Sequence, residues 1–301
     1  FLFNLEPELL RLQAALVNGA YRPGRYTVFE IRDPKRRRIC AASFRDRVVH
    51  HAVCHALEPL LEKRLIFDTY ACRTGKGGHA ATRRAQRFSR RHRYFLKCDI
   101  RRYFESIDHN TLKTLLRRIL KDRRLLVLLD IIIDHHPPYT EPGRGLPIGN
   151  LTSQHFANLY LGELDHHVKE RMRLKAYIRY MDDLLFFADS KSTLHQAAFE
   201  IDRFVRNRLI LEVKESSVHL TPVNEGISFL GFRIFPATIR LNHRSLRRFR
   251  IKWKAAERAY LRGETDAEQL AGTATALFGH IRHADSLHLR RNLNRHTLVA
   301  G

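Results

Sequence analysis

The sequence has no CxxC pair. Its four cysteines, Cys40, Cys54, Cys72 and Cys98, stand singly in the first third of 301 residues. Their spacing excludes a zinc ribbon and a disulfide framework, and predicts reduced thiols filling core space. No signal-peptide pattern or long apolar run occurs, so no membrane partner and a cytoplasmic setting are expected. The chain opens at Phe1 rather than Met, so a native N-terminal stretch is expected before it. Neither a Gly-x-Ser-x-Gly elbow nor a Walker loop is present; Gly75-Lys76-Gly77-Gly78 is a flexible basic turn. Internal repeats and low-complexity linkers are also missing. The adjacent histidine pairs His50-His51, His135-His136 and His166-His167 point in different directions and lack the i, i+4 spacing of a zinc helix. Acid is scarce: 31 Asp+Glu against 54 Lys+Arg leave a formal charge of +23. Such an excess calls for a polyanionic partner, nucleic acid before membrane.

What is there reads as a folded α+β protein. Hydrophobic residues make up 44%, and the length suits two or three interdependent subdomains. Leu5, Leu9, Leu12 and Leu16 predict a helix over 5–18, and Val49, Val53, Leu57, Leu60 and Leu61 another over 46–66. Residues 21–39, rich in Arg, Lys and Pro, read as extended. Arg93 to Ile100 reads as a strand ending at Asp99, and Asp108 as the N-cap of a helix with Leu112, Leu115, Leu116 and Ile119 on one face. Further helices are expected over 153–169 and 193–209, and a strand over 227–234. From residue 243, Leu246, Phe249, Trp253, Ala256 and Tyr260 recur near the helical period amid Arg244, Arg247, Arg248, Arg250, Lys252, Lys254 and Arg258. A basic helix of this kind suits a phosphate backbone.

The most pointed feature is Tyr180-Met181-Asp182-Asp183, two carboxylates between stretches that read as buried strand. Charges beside an apolar core need neutralising, and hard divalent cations choose carboxylate oxygen. An acidic hairpin turn is the plain alternative. Asp99, a second acid at a strand end, would let Asp99 and Asp182 share two metal ions, the arrangement that stabilises attacking and leaving oxygens in phosphoryl transfer.

With these residues the chain resembles reverse transcriptases over nearly its whole length and in the family's order. Asp33-Pro34-Lys35-Arg36-Arg37-Arg38-Ile39 is similar to the fingers segment that holds the incoming triphosphate. Arg45 to His51 and Tyr70 to Gly78 resemble the next two fingers blocks. Asp99-Ile100-Arg101-Arg102-Tyr103-Phe104 resembles the first palm motif, Gly145 to Gln154 the template and nucleotide clamp, and Phe229-Leu230-Gly231-Phe232 the primer grip. The resemblance implies a right-hand polymerase fold with fingers, an antiparallel palm sheet and a helical thumb. The implied division is fingers 1–92, palm 93–118, an insertion 119–144, palm again 145–236, and a basic thumb 237–301. It implies catalytic Asp99, Asp182 and Asp183, with the Ile100 carbonyl helping them hold two Mg2+ ions, Mn2+ being a substitute. Nucleotide contacts would come from Lys35, Arg38, Tyr103, Phe104, Ile148 and Gly149, with Arg36 and Arg37 as alternates and Phe104 as steric gate against ribose. Template and primer contacts would come from Ser153, Gln154, Tyr180, Met181, Gly231, Phe232, Arg247, Arg248 and Lys252. The family's usual lysine donor to pyrophosphate aligns near Ser217 rather than Lys214; Lys214 either reaches the site or, the slightly favoured reading, is a surface residue, so the proton donor stays unassigned.

Within the family, the clamp discriminates. Group II intron enzymes carry Gln before its Gly and end it in Ser-Pro; here Ile148 precedes Gly149 and Gln154 follows Ser153. That pair resembles the reverse transcriptases of diversity-generating retroelements, as do Phe156-Ala157-Asn158-Leu159-Tyr160 and the stretch from Gly279 to Asp285. The implied activity is error-prone copying of template RNA into cDNA at adenines, for targeted protein diversification. The implied partners are template RNA, the cDNA/RNA hybrid, deoxynucleoside triphosphates and a small basic oligomeric accessory protein. The rivals are a group II intron, retron or phage-defence enzyme, and a non-catalytic RNA-binding scaffold.

Overall fold

Leucines at helical spacing begin the described chain, residues 2–32, 36–287 and 289–291 of this computed structural model. They form α1 (Leu5–Val17), which buries Leu12 but leaves Leu5 and Leu9 exposed. An antiparallel pair follows, β1 (Thr27–Arg32) and β2 (Arg36–Ala41), with every residue of β1 exposed. Ser43 caps α2 (Phe44–Glu62) by accepting from the Asp46 amide at 3.2 Å. Val49, Val53, Leu57 and Leu61 then form one buried stripe along it. His51 and His55 also stand four apart on α2, a spacing that the adjacent histidine pairs obscure.

Next come α3 (Gly78–Ser89), β3 (Tyr94–Asp99), the single turn α4 (Tyr103–Ser106) and α5 (His109–Ile119). Asp108 caps α5 as its sequence suggests, accepting from the Thr111 amide at 2.8 Å. Helix α6 (Arg123–Asp134) lies in the stretch read only as an insertion, and α7 (Leu151–His166) runs on into a π-helical turn, His167–Arg171. Strands β4 (Tyr177–Tyr180) and β5 (Asp183–Ala188) flank the acidic turn; α8 (Lys191–Leu209) and β6 (His219–Pro222) follow.

Residues 227–234 are not one strand. They form β7 (Ile227–Phe229) and β8 (Phe232–Ile234), which β9 (Ile239–Leu241) joins in a three-stranded sheet. The break falls at Leu230 and Gly231, both at positive φ (48° and 88°), which reverses the chain. Basic helix α9 (His243–Leu261) and α10 (Ala267–Ile281) complete the described chain. Phe249 and Trp253 are buried edge-on against Phe278, whereas Tyr260 is exposed.

The four-stranded antiparallel sheet, in order β4-β5-β3-β6, organises the rest. Side chains alternate across it. Leu96, Cys98, Leu184 and Phe186 enter one core with α5, α7 and α8; Phe95, Leu185 and Phe187 enter another with α3 and the three-stranded sheet. Burial on both faces explains why β5 reads as continuous apolar sequence. Each fully buried Leu or Phe contributes about 1.5–3 kcal/mol, so this sheet is a rigid platform for whatever its strand ends carry. Among the described residues, no helix is long and apolar enough to cross a membrane.

Candidate active site

Strand register brings the acids together. Asp99, the last residue of β3, pairs with Asp183, the first of β5, and Asp183 pairs in turn with Tyr180 at the end of β4. Met181 and Asp182 form the two-residue turn between them. Met181 lies at φ 53°. A positive φ at the first central position only is the type II′ pattern, where Gly is usual. A side chain there costs about 1–2 kcal/mol, so the surroundings must hold it. Arg179 does so in part, its Nη1 donating to the Met181 carbonyl at 3.2 Å.

The Asp99 backbone is fixed on both sides. Its amide donates to Ser217 Oγ at 3.0 Å, and its carbonyl accepts from the Lys214 amide at 2.8 Å. Ser217, near which the family's proton donor aligns, is therefore engaged with the Asp99 main chain. Lys214 is exposed, as read.

Burial, the Asp99 carboxylate beside it and then Asp183 push the Asp182 carboxyl up to about 7. Asp99 Oδ1 is buried with no hydrogen-bond partner. Crowded, underpaired carboxylate oxygens are what a hard divalent cation would satisfy, so Asp99 and Asp182 fit a metal. Asp183 differs. Lys97 Nζ reaches it at 3.1 Å and also donates to the Ser228 carbonyl at 3.0 Å. The three acids thus stand together, Asp183 facing Asp99 in register and Asp182 beside Asp99 in the turn, and among the described residues no group of three or more His, Cys, Asp or Glu is arranged to hold a metal ion.

This geometry sets a pH dependence for the metal-free protein. The raised Asp182 pKa favours the fold fully below 3.8, and that stability, worth a few kcal/mol, is lost as pH rises through about 7. With chelator present, unfolding free energy should therefore fall between pH 4 and 8, and Asp182→Asn should flatten the slope. Denaturant titrations at both pH values check this; equal slopes in the two proteins would refute it.

The clamp packs directly on β2. The Cys40 amide donates to the Ile148 carbonyl at 2.9 Å. At Gly149, φ 123°, a Cβ would stand 2.9 Å from Ile39 Cγ2 and 3.2 Å from the Cys40 carbonyl, so only glycine allows the approach. The Ile148 side chain is half-buried. Leu146 donates its amide to the Phe104 carbonyl at 2.7 Å, tying the clamp to the half-buried Phe104 as well. Gln154 Oε1 accepts from the Cys72 thiol at 3.1 Å; Cys72 is exposed, unlike the buried Cys40, Cys54 and Cys98, which corrects the expectation of four core thiols.

Other expected contacts sort by exposure. Arg36, Arg37 and Arg38 are exposed on β2; Arg36 pairs with Glu30 at 2.6 Å, and Arg38 lies over the Tyr139 ring. Lys35 lies outside the described residues. Arg247, Arg248 and Lys252 are on the exposed side of α9, and Tyr180 is half-buried. Four side chains turn inward instead. Tyr103 is 2% exposed and donates its hydroxyl to the Ala157 carbonyl, so its ring belongs to the core and not to a nucleotide. Phe232, also 2% exposed, packs in the second core, leaving Gly231 as the accessible part of that turn. Ser153 is buried in the first turn of α7, and the Ile100 side chain is buried beneath Asp99.

Sequence reasoning missed Lys97, Arg179 and Asp165. A charged residue inside the apolar run Tyr177-Ile178-Arg179-Tyr180, and Asp165 inside an apolar helix, were the available signals.

Comparison with known proteins follows this geometry. A family profile for "Reverse transcriptase (RNA-dependent DNA polymerase)" matches residues 31–234. Protein YkfC of Escherichia coli is 25% identical over 274 residues, covering 77% of this chain and 72% of its own. The group II intron-encoded protein LtrA of Lactococcus lactis is 22% identical over 302 residues, covering 76% and 50%. Among solved structures, telomerase from Candida albicans with a telomeric RNA fragment superposes with a TM-score of 0.56 at 12% identity, covering 74% and 46%. Apo telomerase from Candida tropicalis gives 0.57 at 13%, covering 73% and 55%. The chain thus spans about half the length of LtrA and of these telomerases.

Proposed function

Since the chain belongs to the reverse transcriptase (RNA-dependent DNA polymerase) family, we propose that it copies an RNA template into DNA. The observation that carries this reading is the convergence of three acids at one turn: Asp99 and Asp183 face each other at adjoining strand ends, and Asp182, within the turn, is driven up by burial and by Asp99. In the proposed reaction a primer 3′-hydroxyl loses its proton to water, its oxygen bonds to the α-phosphorus of a deoxynucleoside triphosphate, and pyrophosphate leaves with the electrons of the broken P–O bond. Two Mg2+ ions, when bound, would neutralise charge on the attacking and leaving oxygens. Asp99, Asp182 and Asp183 would hold them, with the Ile100 carbonyl. Arg38, with Arg36, would take the triphosphate as a polyanion; Phe104 would lie under the sugar. Gln154, Tyr180, Met181 and Gly231 would border template and primer, and Arg247, Arg248 and Lys252 would follow the duplex backbone. On this reading β1–β2 belongs to the fingers, the four-stranded sheet to the palm and α9–α10 to the thumb.

We further read Ile148 and Gln154 as marks of the diversity-generating subclass, with an accessory basic protein as partner. An amide at position 148 would hydrogen-bond the incoming nucleotide; a branched alkyl group has no donor or acceptor to offer. Weaker hold on correct geometry narrows the gap between right and wrong pairs, since selectivity is a difference of transition-state energies. Single-nucleotide extension opposite a template adenine tests this. The wild-type protein should misincorporate there, and Ile148→Gln should lower the error ratio several-fold to about tenfold. An unchanged ratio overturns the account of Ile148. Accurate copying of adenine by the wild type favours the intron-type reading that the LtrA match suggests.

A further inference from the structure

A fully buried ion pair stands behind the acidic turn. Arg179 of β4 and Asp165 of α7 both have 0% side-chain exposure. Such a pair rarely stabilises a fold more than well-packed apolar residues would, because both charges must leave water. Its retention points to geometry.

The donors of Arg179 are fully used. Nε donates to both Asp165 oxygens at 2.8 and 3.0 Å, and Nη2 to Asp165 Oδ2 at 2.7 Å and the Asn158 carbonyl at 3.0 Å. Nη1 donates to Asn158 Oδ1 at 3.1 Å and to the Met181 carbonyl at 3.2 Å. Asp165 also accepts from the Tyr177 hydroxyl at 2.7 Å and the Thr69 hydroxyl at 2.8 Å. The network joins three segments. Asn158 Nδ2 donates to the Ala71 carbonyl at 2.7 Å, while the Arg179 main chain bonds to Asp68 and Tyr70, each at 3.0 Å. Helix α7, the 68–71 segment and the Met181-Asp182 turn therefore meet at one guanidinium.

We propose that Arg179, locked by Asp165 and Asn158, is a positioning residue that sets the height of the Met181-Asp182 turn relative to Asp99. The inference rests on the polymerase reading above. A fork of five donors is required: lysine offers three around one nitrogen and cannot reach Asp165, Asn158 and the Met181 carbonyl together. The turn needs an outside hold because Met181 sits at positive φ without being glycine. Displacing a reacting group by about 1 Å costs on the order of a hundredfold in rate.

The test compares the wild-type protein with Arg179→Lys and with the charge-neutral double variant Arg179→Met/Asp165→Leu, in primer extension on an RNA template. Melting curves identify folded variants. In folded variants kcat should fall by at least about 30-fold, KM for the nucleotide should stay within about threefold, and the Mg2+ concentration for half-maximal rate should rise. A merely structural pair would lower the melting temperature while leaving kcat and the Mg2+ midpoint where they are, and that result overturns the proposal. If neither variant folds, Asn158→Ala, which leaves the ion pair intact, is read the same way with a smaller expected loss. An inactive wild-type protein would count against the polymerase reading instead, so the two failures are distinguishable.

Discussion

Asp182→Ala should abolish primer extension, by at least about a thousandfold, while RNA affinity stays unchanged. The loss follows from what surrounds the carboxyl. The Asp99 carboxylate beside it helps push it up, and its removal leaves only Asp183, already paired with Lys97, as the acid facing Asp99. Binding should survive because the basic surface lies elsewhere, on β2 and α9. Extension assays with Mg2+, alongside filter binding of the same RNA, measure both. Retained extension would sink the assignment of Asp182. A wild-type protein that binds RNA yet never extends a primer, with or without its own template RNA, would point to the scaffold reading.

The second large effect concerns sugar choice. Phe104→Ala should raise ribonucleotide use relative to deoxynucleotide use by about a hundredfold or more, as the ratio of kcat/KM values. The half-buried Phe104 ring stands edge-on to Tyr103 at 5.7 Å, and its carbonyl is held by the Leu146 amide. A ring packed edge-on to Tyr103 over a pinned backbone has little freedom to swing away from a 2′-hydroxyl, so the discrimination would be steric and the variant should keep most of its deoxynucleotide rate. An unchanged ratio would make Phe104 a packing residue.

Much of the scaffold was legible because local signals agreed with it. Short apolar runs marked β3 and β5, Asp108 announced α5, and the acids at strand ends marked the candidate site. Helix α3 was not read, because its buried face is small, Ala81, Thr82 and Ala85 among arginines, and leaves little apolar signal. The strand expected over 227–234 failed at Leu230-Gly231, where two backbone angles rather than hydrophobicity decide the chain's course. Tyr103 and Phe232 were placed by motif at a surface, but their alternation with neighbours carries them inward. Lys97 acts through Asp183, 86 residues on, which no local pattern reveals, whereas Arg179 and Asp165 show locally only as charges in apolar surroundings, with nothing to say that they pair.

The hydrogen bond from Cys40 to Ile148, with Gly149 pressed beneath Ile39, has a practical consequence for rebuilding this protein. The strand bearing the arginines and the loop bearing Ile148 are mated surfaces, cut to one another across a hundred residues of sequence. A chimera that imports a foreign clamp alone would bring a loop shaped for a different strand. Residues 36–41 and 145–150 have to be exchanged together, and the Phe104 and Ile107 carbonyls that hold Leu146 and Gly145 have to be kept.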